Sequence, residues 1–293
     1  MPRIFSSAVI ERIWGSHYHF ASDSPPGRLS TGTALITGAS TGLGAVYADR
    51  LAKRGHDLIL VARNGAQMEE LAAKLRAETG VAVDVIAADL TKSDDVTRIE
   101  QRLIDDAAIT LFVNNAGMSL NGGTLENSAA EVETIIALNI TAAARLGIAA
   151  GKAFGARGKG AIVNIASVLA LAPEMFEGVY SGSKAFLLNL SQALATSGRD
   201  KGFHVQAVLP GATRTEIWER SGKDIDAFPA EMVMSAGDLV DAALVGLDRG
   251  EEVTIPPLAD AGQWDAYLAA RLAMAPNLSK RDVAERYRAS ETA

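Results

Sequence analysis

From Thr33 onward, short runs of apolar and β-branched residues alternate with longer stretches in which apolar positions recur at helical spacing. The short runs predict strands at Ala34–Thr37, Asp57–Ala62, Ala82–Ala87, Thr110–Asn114, Ala161–Ala166, Val205–Leu209 and Val253–Ile255. The stretches between them predict helices over Gly42–Arg54, Ala66–Thr79, Ser93–Ala107, Ala129–Gly155, Gly178–Gly198 and Asp238–Arg249. Strands apolar on both faces, each followed by a helix, imply a seven-stranded parallel sheet covered on both sides. Right-handed crossovers then give a doubly wound α/β Rossmann fold.

Three segments break the rhythm. Residues 1–32 mix aromatics, arginines and Ser-Pro-Pro-Gly without a sustained apolar stretch, so they read as an irregular leader rather than a secretory signal. Residues 212–235 lack periodicity but hold Trp218, Phe228, Met232 and Met234, which suits a lid over a site. After Pro256-Pro257 an extension over about 257–293 carries a last helix with Trp264, Tyr267, Leu268 and Leu272 on one stripe, expected to pack. The segment from 33 to 293 is expected to be one catalytic domain.

Composition narrows the chemistry. The chain has 293 residues, a net charge of -7 and no cysteine. The charge argues against nucleic acid as a partner, and the lack of cysteine excludes disulfides and thiolate catalysis. None of the four histidines pairs at helical ligand spacing, although His17 and His19 alternate in the leader. No metal is expected. No apolar run is read as approaching the ~20 residues needed to span a bilayer, so a cytoplasmic protein without a membrane partner is expected.

Gly38, Ser40, Thr41, Gly42, Leu43 and Gly44 follow the first strand and open the first helix. Glycines there allow backbone to approach a pyrophosphate, and the helix N-terminus offers it unpaired N–H groups. A carboxylate ending the second strand would bind the ribose hydroxyls of NAD; here stands Ala62, then Arg63. A guanidinium suits the 2′-phosphate, so NADP(H) is favoured over NAD(H). Asp89-Leu90 ends the third strand, where Asp89 could take the adenine amino group or cap the next helix, a role Ser93 also suits. Asn114, Asn115, Ala116 and Gly117 end the fourth strand and offer a surface for the cofactor, with at least one Asn open to a purely structural role. Tyr180 and Lys184 lie four apart on one helix face. An ammonium there would favour the phenolate and make the phenol a usable acid or base.

The Thr-Gly-x-x-x-Gly-x-Gly spacing, Asn-Asn-Ala-Gly, Asn139, Ser167, Tyr-x-x-x-Lys and Pro210-Gly211 occur in this order. Together they resemble the short-chain dehydrogenase/reductase family in its compact form, from about Thr33 to Pro256. The resemblance implies hydride transfer between a nicotinamide and a carbonyl or alcohol, with Tyr180 as proton donor or acceptor. Ser167 would bind the substrate oxygen, Lys184 would lower the Tyr180 pKa and bind the nicotinamide ribose, and Asn139 would hold a relay water. Tyr180, Lys184, Pro210, Gly211, Thr213 and Thr215 would all meet the cofactor, the two threonines near its carboxamide. It also implies a homodimer or homotetramer built through long helices. Leu169, Leu171, Met175, Phe176, Ile217, Trp218 and Phe228 form an apolar list that favours a hydrophobic ketone, aldehyde or secondary alcohol. A 3-oxoacyl carrier-protein reductase, docking through Lys152, Arg157 and Lys159, is one alternative. A non-catalytic NADP(H) sensor is the other.

Overall fold

The computed structural model describes residues 31–288, so the leader, including His17 and His19, lies outside the described residues. These residues form two compact units, 31–257 and 258–288. In the first, β1 (Thr33–Thr37), β2 (Asp57–Ala62), β3 (Val83–Ala87), β4 (Ile109–Asn114), β5 (Ala161–Ile165), β6 (His204–Val208) and β9 (Val253–Thr254) make one parallel sheet. Its order is β3-β2-β1-β4-β5-β6-β9. Every residue of β1 and β5 is buried, the polar Thr37 and Asn164 included. Helices α1 (Gly42–Lys53), α2 (Gly65–Thr79) and α7 (Ala236–Asp248) pack one apolar cluster, which holds Tyr47, Leu60, Met68 and Leu244. Helices α3 (Ser93–Asp105), α4 (Ala129–Arg157) and α5 (Gly178–Lys201) pack the other, which holds Phe112, Leu146, Phe154 and Val205.

Local chemistry sets the helix ends. Asn64 accepts from Gln67 N to start α2, and Gly80 ends it in the left-handed region. Ser128 and Glu131 form a capping box on α4. Residue 93 opens α3 rather than capping it; Lys92 holds the cap position, and the Ser93 hydroxyl instead accepts from Arg145.

Two readings of α4 need correction. Ala129–Arg157 is long and apolar enough to cross a membrane by length and composition, because its many Ala, Ile and Leu residues raise its hydropathy; half of the critical window is buried inside the protein. The helix also widens into a π turn over Ile136–Ala142, which a uniform helical period does not reveal.

At the outer strand β3, Arg76 donates to the Val83 carbonyl and Arg98 to the Ala87 carbonyl, while Arg102 pairs with Asp84. The segment expected as a lid is built from two-residue strands β7 (Thr213–Arg214) and β8 (Met234–Ser235), paired in parallel, with α6 (Ile217–Arg220) and two 3-10 turns between them. In the second unit, α8 (Ala261–Met274) starts at a cap from Asp260, and Trp264 stacks on Tyr267 at 5.3 Å. None of its helical residues is fully buried.

Candidate active site

β2 lies on one side of β1 and β4 on the other, so the strand order reverses between β1 and β4. In such sheets the ligand crevice opens beyond the carboxyl ends of the strands at that reversal. Thr37 and Asn115 tie the two strand ends together. The amides of Asn115 and Ala116 donate to the Thr37 hydroxyl at 3.0 and 3.1 Å, and the Asn115 side chain donates to the Thr37 carbonyl at 2.9 Å. Thr37 was not among the expected site residues. Its only sequence signal is its place just before Gly38.

The loop from Gly38 to Gly44 has the shape a dinucleotide needs. Gly38 has φ 66°, and a Cβ on Gly44 would stand 2.2 Å from the Gly38 carbonyl oxygen. Thr41, at the N-cap of α1, makes no side-chain capping bond, so the first-turn N–H groups carry no side-chain cap. A Cβ on Gly117 would come within 3.4 Å of both Asn139 Oδ1 and Lys184 Nζ, so this glycine keeps backbone open beside two expected site residues. These features fit a dinucleotide along the crevice.

Farther out, Arg63 is exposed and donates no hydrogen bond among the described residues. Its charge acts on Asp89. Burial pushes the Asp89 carboxyl up, but hydrogen bonds from the Thr91 amide and hydroxyl outweigh it and hold the group below the usual range. Both bonds fall on Oδ1, so Asp89 closes its own turn and keeps Oδ2 free of them. The Leu90 side chain belongs to the apolar core.

Asn114 departs from its expected cofactor role. Both its amide hydrogens turn into the core, to Ala143 O and Asn164 Oδ1 at 2.9 Å each. Asn164 passes the chain on to Ser191, also at 2.9 Å. Asn114 is therefore part of a buried polar strut joining β4, β5, α4 and α5, the purely structural role that the sequence left open for one of the two asparagines.

Asn139 sits in the π turn and is 2 % exposed. Its amide is paired both ways with the Met118 backbone, at 2.9 and 2.8 Å, and donates to Ser183 at 3.1 Å. With both amide hydrogens spent, the side chain fixes the loop after β4 and retains only acceptor capacity for a water.

Ser167 ends β5 and hydrogen-bonds Tyr180. Glu177, buried and unsuspected from sequence, caps α5 by accepting from the Val179 and Tyr180 amides, and so fixes the turn that carries the phenol. Lys184 is 6 % exposed and donates to the Ile165 carbonyl at 2.8 Å. Its Nζ lies 5.6 Å from the Tyr180 ring centre. Tyr180 as a residue is half-buried, yet its hydroxyl is desolvated. Burial pushes it up from 10.0 to about 12, against the hydrogen bond with Ser167. The lysine beside it is desolvated too, and burial lowers it from 10.5 to about 8.

Pro210 accepts from the Val168 amide at 3.0 Å, which fixes Gly211 beyond β6. A Cβ on Gly211 would meet only Pro257, at 3.7 Å, so the chain itself leaves room there. Thr213 is buried, and its hydroxyl donates to the Gly211 carbonyl. The Thr215 side chain lies against Gly42, at the N-terminus of α1. Arg220 of the lid donates to Thr41 at 3.0 Å. Phe176, beside Tyr180 at 5.8 Å, meets Trp218 edge-on at 6.2 Å, and Trp218 meets Phe228 at 5.2 Å. Met175, expected in the same wall, is 66 % exposed.

A family model described as "short chain dehydrogenase" matches residues 32–226. The chain belongs to that family. Human 17-beta-hydroxysteroid dehydrogenase type 3 is 36 % identical over 186 residues, covering 63 % of this chain and 60 % of that protein. The match thus spans about three-fifths of that curated relative's length. A very-long-chain 3-oxoacyl-CoA reductase from Lodderomyces elongisporus is also 36 % identical, over 60 % of this chain and 53 % of that protein. A solved short-chain dehydrogenase from Sphingobium yanoikuyae in complex with NADPH superposes with TM-score 0.85 and 50 % identity, covering 88 % of this chain and all of that one. The "bulky-bulky ketone specific" alcohol dehydrogenase from Comamonas testosteroni gives TM-score 0.81 and 46 % identity, over 87 % and 98 % of the two chains.

Proposed function

We propose that this protein is an NADP(H)-dependent reductase of bulky hydrophobic ketones, or the reverse dehydrogenase, with Tyr180 as general acid/base. The observation that carries this reading is the grouping of Ser167, Tyr180 and Lys184 beside Gly117 at the switch-point crevice, with an aromatic wall next to the phenol. The similar NADPH complex and the similar bulky-ketone enzyme support it.

When bound, the nicotinamide supplies or accepts hydride. The first turn of α1 would hold the pyrophosphate, and Arg63 would pair with the 2′-phosphate. Ser167 and Tyr180 both face the substrate oxygen. In reduction, Tyr180 gives its proton to that oxygen as negative charge develops, and Ser167 donates a hydrogen bond to it. A phenol at about 12 is protonated at neutral pH and still more acidic than water at ~15.7, so transfer to a developing alkoxide runs downhill. Lys184 binds the ribose and restores the phenol's proton. Any relay water at Asn139 is accepted by the oxygen side of that residue, since its amide hydrogens are committed.

The carrier-protein alternative loses one of its docking cations. The Arg157 guanidinium donates to the carbonyls of Ala153, Asp106, Ile109 and Leu103 and is spent on ending α4. A 3-oxoacyl thioester stays the second reading on the strength of the reductase relatives alone. For assembly, Ile136 and Ile148 on α4 and Phe186 on α5 are each exposed by more than a third, and they support a homodimer formed against the same helices of a second copy.

Tyr180→Phe tests the mechanism. It is expected to bind NADPH with unchanged affinity and to lose at least ~100-fold in carbonyl reduction, the scale of general acid catalysis. Turnover within twofold of the wild type would refute the assignment.

A further inference from the structure

Lys223 lies in the lid, and the sequence singles out no role for it. It is half-buried, and burial holds its ammonium below the ordinary lysine range while Glu177 works in the opposite direction. Its Nζ donates to the Leu120 carbonyl, more than a hundred residues away in the loop after β4. The same Nζ stands 3.9 Å from the centre of the Phe176 ring, in the loop after β5. One ammonium therefore holds three segments that are remote in sequence. Neighbouring geometry repeats the connection. A Cβ on Gly222 would lie 2.9 Å from Asn121 Nδ2, so the Asn121 side chain of the loop after β4 packs directly on the lid backbone. Thr124 of that loop accepts from the Gly178 amide at 2.8 Å, at the start of α5. The ring held by Lys223 is the one that borders both Tyr180 and Trp218.

We propose that Lys223 is a positioning residue for the substrate: it pins the Phe176 ring and the Leu120 carbonyl to the lid, sets the aromatic wall beside Tyr180, and so favours bulky aromatic ketones over small ones. The proposal rests on the ketone-reductase reading above. Lys223 takes no part in proton or hydride transfer. Its charge organises the wall, and the wall orients an apolar substrate against the phenol. A lysine that merely stabilised the fold would affect all substrates alike.

The test compares Lys223→Met and Lys223→Arg in the full chain. With NADPH, steady-state kinetics on benzophenone and on acetone are read alongside amide hydrogen exchange. Lys223→Met is expected to raise KM for benzophenone about tenfold, leave kcat within about threefold, and leave KM for acetone unchanged, as loss of ground-state positioning requires. Exchange should quicken in segments 118–124 and 176–180. Lys223→Arg keeps a cation over the ring and should restore both readouts. Equal KM changes for the two ketones, or unaltered exchange in both segments, would overturn the proposal. Should Lys223→Met fail to fold, Phe176→Leu removes the ring that the cation faces, and the same split between ketones is required of it. A wild-type protein that reduces neither ketone would refute the functional reading, and the exchange measurement then decides the tie by itself.

Discussion

The buried lysine of the active site makes a quantitative prediction about stability. Lys184 is almost wholly removed from water, and its pKa falls from 10.5 to about 8. Keeping it protonated in the folded state at neutral pH costs about 3 kcal/mol, at ~1.4 kcal/mol per pH unit. Lys184→Met removes the charge and keeps the volume. It also leaves the Ile165 carbonyl without its donor, a loss of about 1–2 kcal/mol for a buried acceptor. The variant should therefore be more stable than the wild type at pH 7 by about 1–2 kcal/mol, or about 3–6 °C in Tm. The sign of the pH dependence follows from proton counting. Between pH 8 and 10.5 the unfolded chain binds a proton at residue 184 that the folded chain does not, so wild-type stability rises across this window. The advantage of the methionine variant should shrink steadily over the same range. The raised phenols of Tyr47 and Tyr180 lose stability only above pH 10, and they do so in both proteins. The assay is thermal or urea unfolding of both proteins from pH 7 to 10. A variant less stable at pH 7, or a difference that does not change with pH, would refute the claim that burial governs this lysine.

The same desolvation sets the pH profile of catalysis. Reduction, followed as kcat/KM for the ketone, should be flat below about pH 8 and fall above it as Lys184 loses its proton, while Tyr180, at about 12, stays protonated. A profile without a break between pH 7 and 9.5 counts against Lys184 as the proton source. Arg63→Asp would put repulsion where the proposed pairing with the 2′-phosphate needs attraction, and should lower the NADPH-to-NADH ratio of kcat/KM by about 100-fold or more. An unmoved ratio would end the phosphate assignment. Gly44→Ala forces a methyl onto the Gly38 carbonyl and should cost about 1–3 kcal/mol in urea unfolding, along with most NADPH affinity in a fluorescence titration. Wild-type affinity in that variant would show that the loop is not held as tightly as described.

The parts of the site that repeat a short physical pattern were readable in the chain. The β1-turn-α1 loop is one, since its glycines occupy positions where no other residue fits. The four-residue step from Tyr180 to Lys184 is another, because helix geometry alone puts them together. What escaped has no periodicity. The strands of the lid are two residues long, and Lys223 acquires its role only from segments brought to it by folding. Asn114 and Asn115 look alike in sequence, yet one faces the core and the other the strand switch, since successive residues of a strand point to opposite sides. The charge beside Tyr180 can be read from spacing, whereas the desolvation that raises its phenol depends on the finished packing.

The arginines laid along β3 have a consequence for how copies of this molecule can meet. An outer strand invites another chain to extend the sheet through its unpaired carbonyls and amides. Here two carbonyls are already taken and a third position is salt-bridged, so a stranger approaching that border would first have to displace guanidinium groups. Extension of the sheet across this rim is therefore disfavoured, which keeps the opening of the crevice clear of growing β-structure.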